Sequence, residues 1–89
     1  MPDPEVDERL YLQSVARALD VLEAFGPGRS QMTLSEIASA VGANKSAIQR
    51  TVQTLQARNY LRRGDQKGYM LGSRVLDLTF EYLRNHPYI

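Results

Sequence analysis

The sequence predicts a mainly α-helical domain with one small β-hairpin: three core helices, two strands and a final helix. Three observations support this fold class. Apolar residues recur at helical spacing in four segments of the chain. Two short apolar-rich segments flank a polar turn at 64–67, which is typical of a hairpin. The 89 residues, 43% hydrophobic and 24% charged, have the size and composition of one small globular domain.

The first helix is predicted to begin at Ser14, whose hydroxyl can cap it, and to end at Gly26-Pro27-Gly28, because proline cannot continue a helix. Its apolar stripe, which we expect to face the core, is Val15, Ala18, Leu19, Leu22 and Phe25. Residues 1–11 are predicted to be a flexible acidic tail, since they begin with two prolines and four acidic side chains among nine residues. Residues 29–32 are expected to form a surface loop.

The second and third helices carry strong terminal signals. Thr33 and Glu36 have the spacing of a capping box, which predicts the start of the second helix. Gly42 suits a left-handed residue at its end, and Asn44 can cap the third helix, predicted over 44–56. The inner faces of the two helices are predicted to be Leu34, Ile37, Ala38, Val41, Ile48, Val52 and Leu55. Two such helices joined by a tight turn form a helix-turn-helix motif, here at about 34–53.

The hairpin and the last helix follow. Asn59 tolerates the left-handed conformation that closes the third helix, and strands are predicted at 60–63 and 68–71. The final helix is predicted over 74–84, with an unusually broad apolar surface formed by Val75, Leu76, Leu78, Thr79, Phe80, Tyr82 and Leu83. We therefore expect one side of it to pack on the domain and the other on a second copy or a further domain. The alternative is that the first helix covers both sides.

The positive charge of the chain is concentrated in one segment. Residues 1–43 carry three basic and seven acidic side chains, whereas residues 44–74 carry seven basic side chains against Asp65 alone. Residues 45–63 contain no acidic side chain. A concentrated positive field favours a polyanion as partner, although a basic surface facing only solvent is the competing interpretation.

The third helix displays side chains suited to reading base pairs. Lys45 lies at its start, and Ser46, Gln49, Arg50 and Gln53 point away from the apolar face. Arginine and lysine can hydrogen-bond guanine, glutamine can pair with adenine, and serine can reach a base or a phosphate. The competing interpretation is an ordinary solvated helix face.

Two further places are candidates for contacts with the DNA backbone. Arg62, Arg63 and Lys67 surround the hairpin tip, or wing, which can lie on the adjacent backbone or in the minor groove, and we assign the wing contacts to Arg62 and Lys67. The competing interpretation is a solvated hairpin whose charges prevent aggregation through its edges. Thr33 and Ser35, at the positive end of the second helix, can bind a phosphate in addition to the capping role of Thr33.

Several other classes of function are excluded or disfavoured by the residues. The chain has no cysteine and one histidine, His86, so neither a disulfide nor a histidine metal cluster is expected. Neither a nucleophile paired with an orienting histidine nor a glycine-rich phosphate loop is present, which predicts a non-enzyme without a cofactor. No apolar run reaches the roughly 20 residues of a membrane span, so we expect a cytoplasmic protein.

The ordered set of motifs resembles the N-terminal domain of the IclR family of bacterial transcriptional regulators. The resemblance covers residues 12–83 and lies in the segments QSVARALDVL (13–22), LSEIA (34–38), KSAIQR (45–50), YL (60–61) and YMLG (69–72). It implies a winged helix-turn-helix with the recognition helix at 44–56, its wing at 60–71 and the domain at 12–84. It also implies homodimers on a pseudo-palindromic operator.

The resemblance has two departures. The family usually carries glycine where this chain has Asn59, a change that leaves the turn possible. Family members are also much longer, with a C-terminal domain that binds a small effector, so residues 85–89 are expected to begin a linker to such a domain.

Two hypotheses follow from the sequence. The first is sequence-specific binding to double-stranded DNA by Thr33, Ser35, Asn44, Lys45, Ser46, Gln49, Arg50, Gln53, Arg62 and Lys67. The alternative is a winged-helix protein–protein interaction module without DNA readout, in which the broad final helix is the working surface.

Overall fold

A computed structural model describes residues 7–86, which form four α-helices and a two-stranded antiparallel sheet. The elements in chain order are α1 (Gln13–Glu23), α2 (Leu34–Val41), α3 (Lys45–Ala57), β1 (Leu61–Arg63), β2 (Tyr69–Leu71) and α4 (Ser73–Asn85). In the sheet, Leu61 pairs with Leu71 and Arg63 with Tyr69. The predicted order of elements and the winged helix-turn-helix architecture are confirmed, with boundaries shifted by one residue at most from α3 onward.

The core lies where α1, α2 and α3 meet the inner face of the hairpin. Its most deeply buried side chains are Val21, Ile37, Ile48, Val52 and Leu61, and Met32, Ala38, Leu55 and Tyr69 complete it. The predicted inner faces of α2 and α3 are confirmed, because their central residues are buried and Leu34 and Val41 are partly buried against them. Burial of these side chains holds α3 in place and leaves its opposite face free.

The predicted stripe of α1 is only partly correct. Ala18, Leu22 and Phe25 pack against the core, but Val15 and Leu19 are about half exposed. Val21, absent from the predicted stripe, is fully buried. The helix has two adjoining apolar faces, and the pattern of the helix alone does not decide which one meets α2 and α3.

Both ends of α1 also differ from the prediction. The helix begins at Gln13 after Leu12, so Ser14 lies within its first turn and does not cap it. It ends at Glu23, before Gly26-Pro27-Gly28, where Arg29 N–H donates to the Gly26 carbonyl at 2.8 Å to close a turn. The expected loop at 29–32 is a true loop only in its first part, as its last residue enters the core.

Met32 makes an isolated antiparallel β-bridge with Tyr69 of β2. Its N–H donates to the Tyr69 carbonyl at 3.0 Å, and Tyr69 N–H donates to the Met32 carbonyl at 2.7 Å. The Met32 side chain is 3% exposed, which contradicts the expected surface loop. This pairing fastens β2 to the residue that precedes Thr33, the N-cap of α2, and so sets the position of the wing relative to the helix-turn-helix.

The predicted tail and linker lie largely outside the described residues, which exclude 1–6 and 87–89. Within the described part, Glu8–Leu10 forms a single 3-10 turn with no buried residue. Asp7 caps it by accepting from the Arg9 N–H at 2.9 Å. The Arg9 side chain, hydrogen-bonded to Asp7, lowers the pKa of this carboxyl below its usual value.

Helix α4 contains no buried residue, which contradicts the expectation that one of its sides packs on the domain. Leu76, Leu78, Phe80, Tyr82 and Leu83 are each between 47% and 55% exposed. Helix α1 does not cover them either, so the alternative prediction is also wrong within residues 7–86. The cause is the connection: β2 runs directly through Gly72 into α4, and only the start of the helix is tied to the domain, by Arg74 N–H donating to the Asn59 carbonyl at 3.0 Å.

Gly72 is expected to be essential at this junction. A Cβ atom there would lie 2.9 Å from the Asn59 carbonyl carbon and 3.0 Å from the Leu61 nitrogen, both backbone atoms that cannot move aside. We expect Gly72→Ala to lower the free energy of unfolding by about 1–3 kcal/mol, as overpacking does elsewhere. Chemical denaturation measures the change, and the exposed neighbour variant Ser73→Ala should stay within about 0.5 kcal/mol of the unaltered chain. Equal stability of the two variants would contradict the prediction.

Candidate nucleic-acid interface

The outward face of α3 is the centre of the candidate interface. Ile48 and Val52 are fully buried one turn apart, which turns the other side of the helix to solvent. The predicted base-reading side chains all lie on the exposed surface: Lys45, Ser46, Gln49, Arg50 and Gln53. One rigid helix therefore displays two cations and three neutral hydrogen-bonding groups together.

Local hydrogen bonds set the start of α3. Gly42 adopts the left-handed conformation, with φ of 70°, and the Ala43 N–H donates to the Ala38 carbonyl at 3.1 Å. The Asn44 side-chain oxygen then accepts from the Ala47 N–H at 2.8 Å. The side-chain oxygen of Asn44 is thus used in capping α3, which fixes the start of the helix. Only the NH2 group of this side chain is left for a contact with DNA.

The start of α2 forms the predicted capping box. Glu36 N–H donates to the Thr33 hydroxyl oxygen at 3.2 Å, and Thr33 N–H donates to the Glu36 carboxylate at 2.8 Å. The capping box occupies two of the backbone N–H groups at the start of α2 and places the Glu36 carboxylate there. Both effects weaken this helix end as a binding site for an anion. A phosphate contact here would depend on the hydroxyl groups of Thr33 and Ser35.

The fold brings Lys67 of the wing close to the start of α2. Thr33 and Lys67 line the same open groove, together with Gln31, Met32, Glu36, Asp65, Gln66 and Gly68. The tip of the wing is closed by the Gly64 N–H, which donates to the Gly68 carbonyl at 2.9 Å, and by Gln66 with φ of 59°. Arg62 and Lys67 are both exposed. The pairing of Met32 with Tyr69 is what unites these two predicted phosphate-contacting places.

Gln31 is a contact that sequence reasoning missed. Its side chain lies where Cβ atoms would stand at Gly64 and Gly68, so a larger residue at either position would displace this side chain from the wing tip. In the sequence, such a close approach is indicated only by the two glycines, Gly64 and Gly68, at the ends of the wing tip. The Gln31 side chain packs against the wing tip at these two glycines.

The cations of this surface have no acidic partner within residues 7–86. The ion pairs found there join Arg9 with Asp7, Arg74 with Asp77 and Arg84 with Glu81, all outside 45–67. The unpaired group comprises Lys45, Arg50, Arg58, Arg62, Arg63 and Lys67. Their charge is therefore available to an external polyanion, as the distribution of charge along the sequence predicts.

The same part of the chain offers little for other chemistry. Across residues 7–86 no cluster of three or more histidine, aspartate or glutamate side chains is placed to hold a metal ion. The helices of that part are too short or too polar to cross a bilayer.

Comparisons with known proteins agree with this geometry. The chain is 32% identical over 79 residues to the p-hydroxybenzoate hydroxylase transcriptional activator of Acinetobacter baylyi, covering 89% of this chain and 29% of that protein. It is 34% identical over 76 residues to the glycerol operon regulatory protein of Streptomyces coelicolor, covering 84% and 30%. The chain thus spans less than a third of the length of these relatives, which are transcriptional regulators and not enzymes.

A solved structure and a family model point the same way. The crystal structure of an IclR family transcriptional regulator from Brucella abortus matches with a TM-score of 0.83 and 30% identity, over 96% of this chain and 33% of that one. The model of the IclR helix-turn-helix domain matches residues 14–65, which include α1 except for its first residue and all of α2, α3 and β1. The match extends over more than half of the chain and confirms the resemblance noted in the sequence. The chain belongs to the IclR helix-turn-helix family.

Proposed function

We propose that residues 12–84 bind double-stranded DNA in a sequence-specific manner and that the protein regulates transcription. The observation that carries this proposal is the outward face of α3, where unpaired cations and neutral hydrogen-bonding groups stand opposite the buried Ile48 and Val52. The recognition helix, 44–56, would lie in the major groove, and the wing, 60–71, on the adjacent backbone or in the minor groove. DNA as the partner is consistent with a cytoplasmic location.

The proposed contacts divide into base reading and backbone binding. Arg50 and Lys45 are suited to guanine, Gln49 and Gln53 to adenine, and Ser46 to a base or phosphate. The backbone contacts are assigned to Thr33, Ser35, Arg62 and Lys67, which carry no sequence information themselves. Asn44 contributes chiefly by fixing the start of α3, through its hydrogen bond to Ala47.

We further propose that the DNA-bound form is a homodimer that covers the exposed apolar face of α4. This face, with Phe80 and its neighbours, spans about two helical turns, and none of its residues is buried within residues 7–86. A single module buries little surface on DNA, and two-fold pairing doubles it and matches an inverted repeat. A second copy is therefore the occupant that suits both the apolar face and the proposed function.

Phe80→Asp tests the dimer. A charge in the middle of the apolar face should shift the 89-residue chain toward monomer in sedimentation analysis. It should also weaken binding to an inverted repeat by at least about tenfold, because two separate monomers no longer bind the two half-sites as one unit. Asn85→Asp adds the same charge on α4 outside the apolar set and should change neither measurement. Unchanged sedimentation of Phe80→Asp would rule out this face as the dimer interface.

The proposed function itself is tested by selecting bound sites from a random DNA pool. We expect an inverted repeat to be recovered and its affinity to fall steeply with salt concentration, since phosphate neutralisation releases counterions. Equal affinity for selected and random DNA would contradict base reading. Absence of DNA binding even at low salt would favour the alternative, a protein–protein interaction module that uses α4.

A further inference from the structure

Arg63 has the most defined surroundings of the cations in the wing. Its guanidinium carbon lies 4.8 Å from the centroid of the Tyr69 ring, and its Nη1 donates to the Tyr69 hydroxyl at 2.9 Å. The two residues face each other across β1 and β2. Tyr69 is itself 9% exposed and fixed on its other side by the backbone pairing with Met32. A flexible side chain is thus held against a rigid, buried ring.

The contact with Tyr69 leaves most of the hydrogen-bonding capacity of Arg63 unused. A guanidinium has five N–H groups, and the tyrosine hydroxyl takes one of them. No carboxylate within residues 7–86 pairs with Arg63, although its side chain is exposed to solvent. The Nε–H and Nη2–H groups form a parallel fork that matches two oxygens of one phosphate.

We propose that Arg63 is a further DNA-binding residue, which grips a backbone phosphate, and that Tyr69 is its positioning residue. This inference rests on the proposed function and adds to it, because the sequence assigns the wing contact to Arg62 and Lys67. Arg62 and Lys67 are exposed, and among residues 7–86 the side chain of neither makes a hydrogen bond or a contact with an aromatic ring. Arg63 is already ordered before DNA arrives, so less side-chain freedom is lost when it binds.

The choice of a phosphate over a base follows from the geometry. Tyr69 occupies one edge of the guanidinium and restricts its reach, and Arg63 stands on a strand at the base of the tip, not at the tip itself. A side chain that enters the minor groove must extend freely, whereas a phosphate contact needs an oriented fork at the surface.

The test uses four single variants and one double variant of the 89-residue chain and measures binding to a selected site and to random DNA. We expect Arg63→Ala to weaken both by about tenfold and to reduce the slope of log affinity against log salt by about one. Arg63→Lys keeps the charge but lacks the planar fork, so it should recover only part of the loss. Arg9→Ala, which removes an arginine already paired with Asp7, is the matched control and should bind normally.

Tyr69→Phe separates positioning from direct contact. It retains the buried ring and removes only the hydroxyl, so thermal unfolding should show an intact fold. We expect it to weaken binding by roughly threefold, and to have no effect when Arg63 is already alanine, since the two residues act through one interaction. An equal effect in both backgrounds would overturn the positioning role.

The remaining outcomes are distinct from failure of the proposed function. Normal binding and normal salt dependence of Arg63→Ala would overturn this inference while the unaltered chain still bound DNA. A loss confined to A·T-rich sites would overturn the phosphate assignment in favour of the minor groove. If the unaltered chain bound no DNA at any salt concentration, both the proposed function and this inference would fall.

Discussion

Replacing Ile48 with alanine is expected to lower the free energy of unfolding by about 2–5 kcal/mol, the range for large-to-small changes in a packed core. Ile48 is fully buried at the centre of the core, on the inner side of α3. Domains of this size have only about 5–15 kcal/mol of net stability, so the variant would lose a large share of it. Urea denaturation followed by circular dichroism measures the change.

The adjacent residue provides the control for this prediction. Gln49 lies on the exposed side of the same helix, and Gln49→Ala should change stability by no more than about 0.5 kcal/mol. The pair therefore distinguishes the packed face of α3 from its proposed DNA face. A loss of less than about 1 kcal/mol for Ile48→Ala would show that α3 is not anchored as the structure describes.

Arg50→Ala is expected to weaken binding to the selected DNA site by about 1–3 kcal/mol, with a much smaller loss on random DNA. Arg50 is exposed on the outward face of α3, and no carboxylate pairs with it within residues 7–86. A bidentate contact to guanine is lost with the side chain, so discrimination at one base pair should relax. Competition binding against single-base variants of the site locates that base pair.

Lys67→Ala serves as the contrasting variant. Lys67 lies in the wing groove beside Thr33, where we propose a phosphate contact. Its removal should weaken binding to all sequences about equally and reduce the salt slope by about one. If Arg50→Ala also reduced affinity uniformly, the assignment of base reading to α3 would be wrong.

Much of the helix-turn-helix could be predicted because its signals are local. The hydrogen bonds of Thr33 with Glu36, the left-handed Gly42, the Asn44 cap and the left-handed Asn59 involve residues within a few positions of one another. Each was expected from residue type and spacing, and each is confirmed. The apolar stripes of α2 and α3 were also correct, since each of these helices has one clear apolar face.

Apart from the predicted cap at Ser14, which is a local error, the main errors concern contacts between distant parts of the chain. Met32 was expected in a surface loop, but it pairs with Tyr69, 37 positions along the chain, and enters the core. In α1, Val21 is buried where Val15 and Leu19 were expected, because two apolar faces compete and the neighbouring helices select one. Nothing in the local sequence of either segment distinguishes these possibilities.

The candidate site shows the same division. Residue type, helical periodicity and the uneven distribution of charge predict which side chains α3 turns to solvent, and their contacts with DNA stay a prediction. Tertiary structure alone decided that Gln31 packs against the wing tip, that Arg63 rests on Tyr69, and that α4 leaves its apolar face uncovered within residues 7–86. Helix capping and amphipathic spacing depend on residues a few positions apart, so they can be predicted from the sequence. The contacts of Gln31, Arg63 and α4 depend on how strands, loops and helices far apart in sequence pack together, so only the tertiary structure decides them.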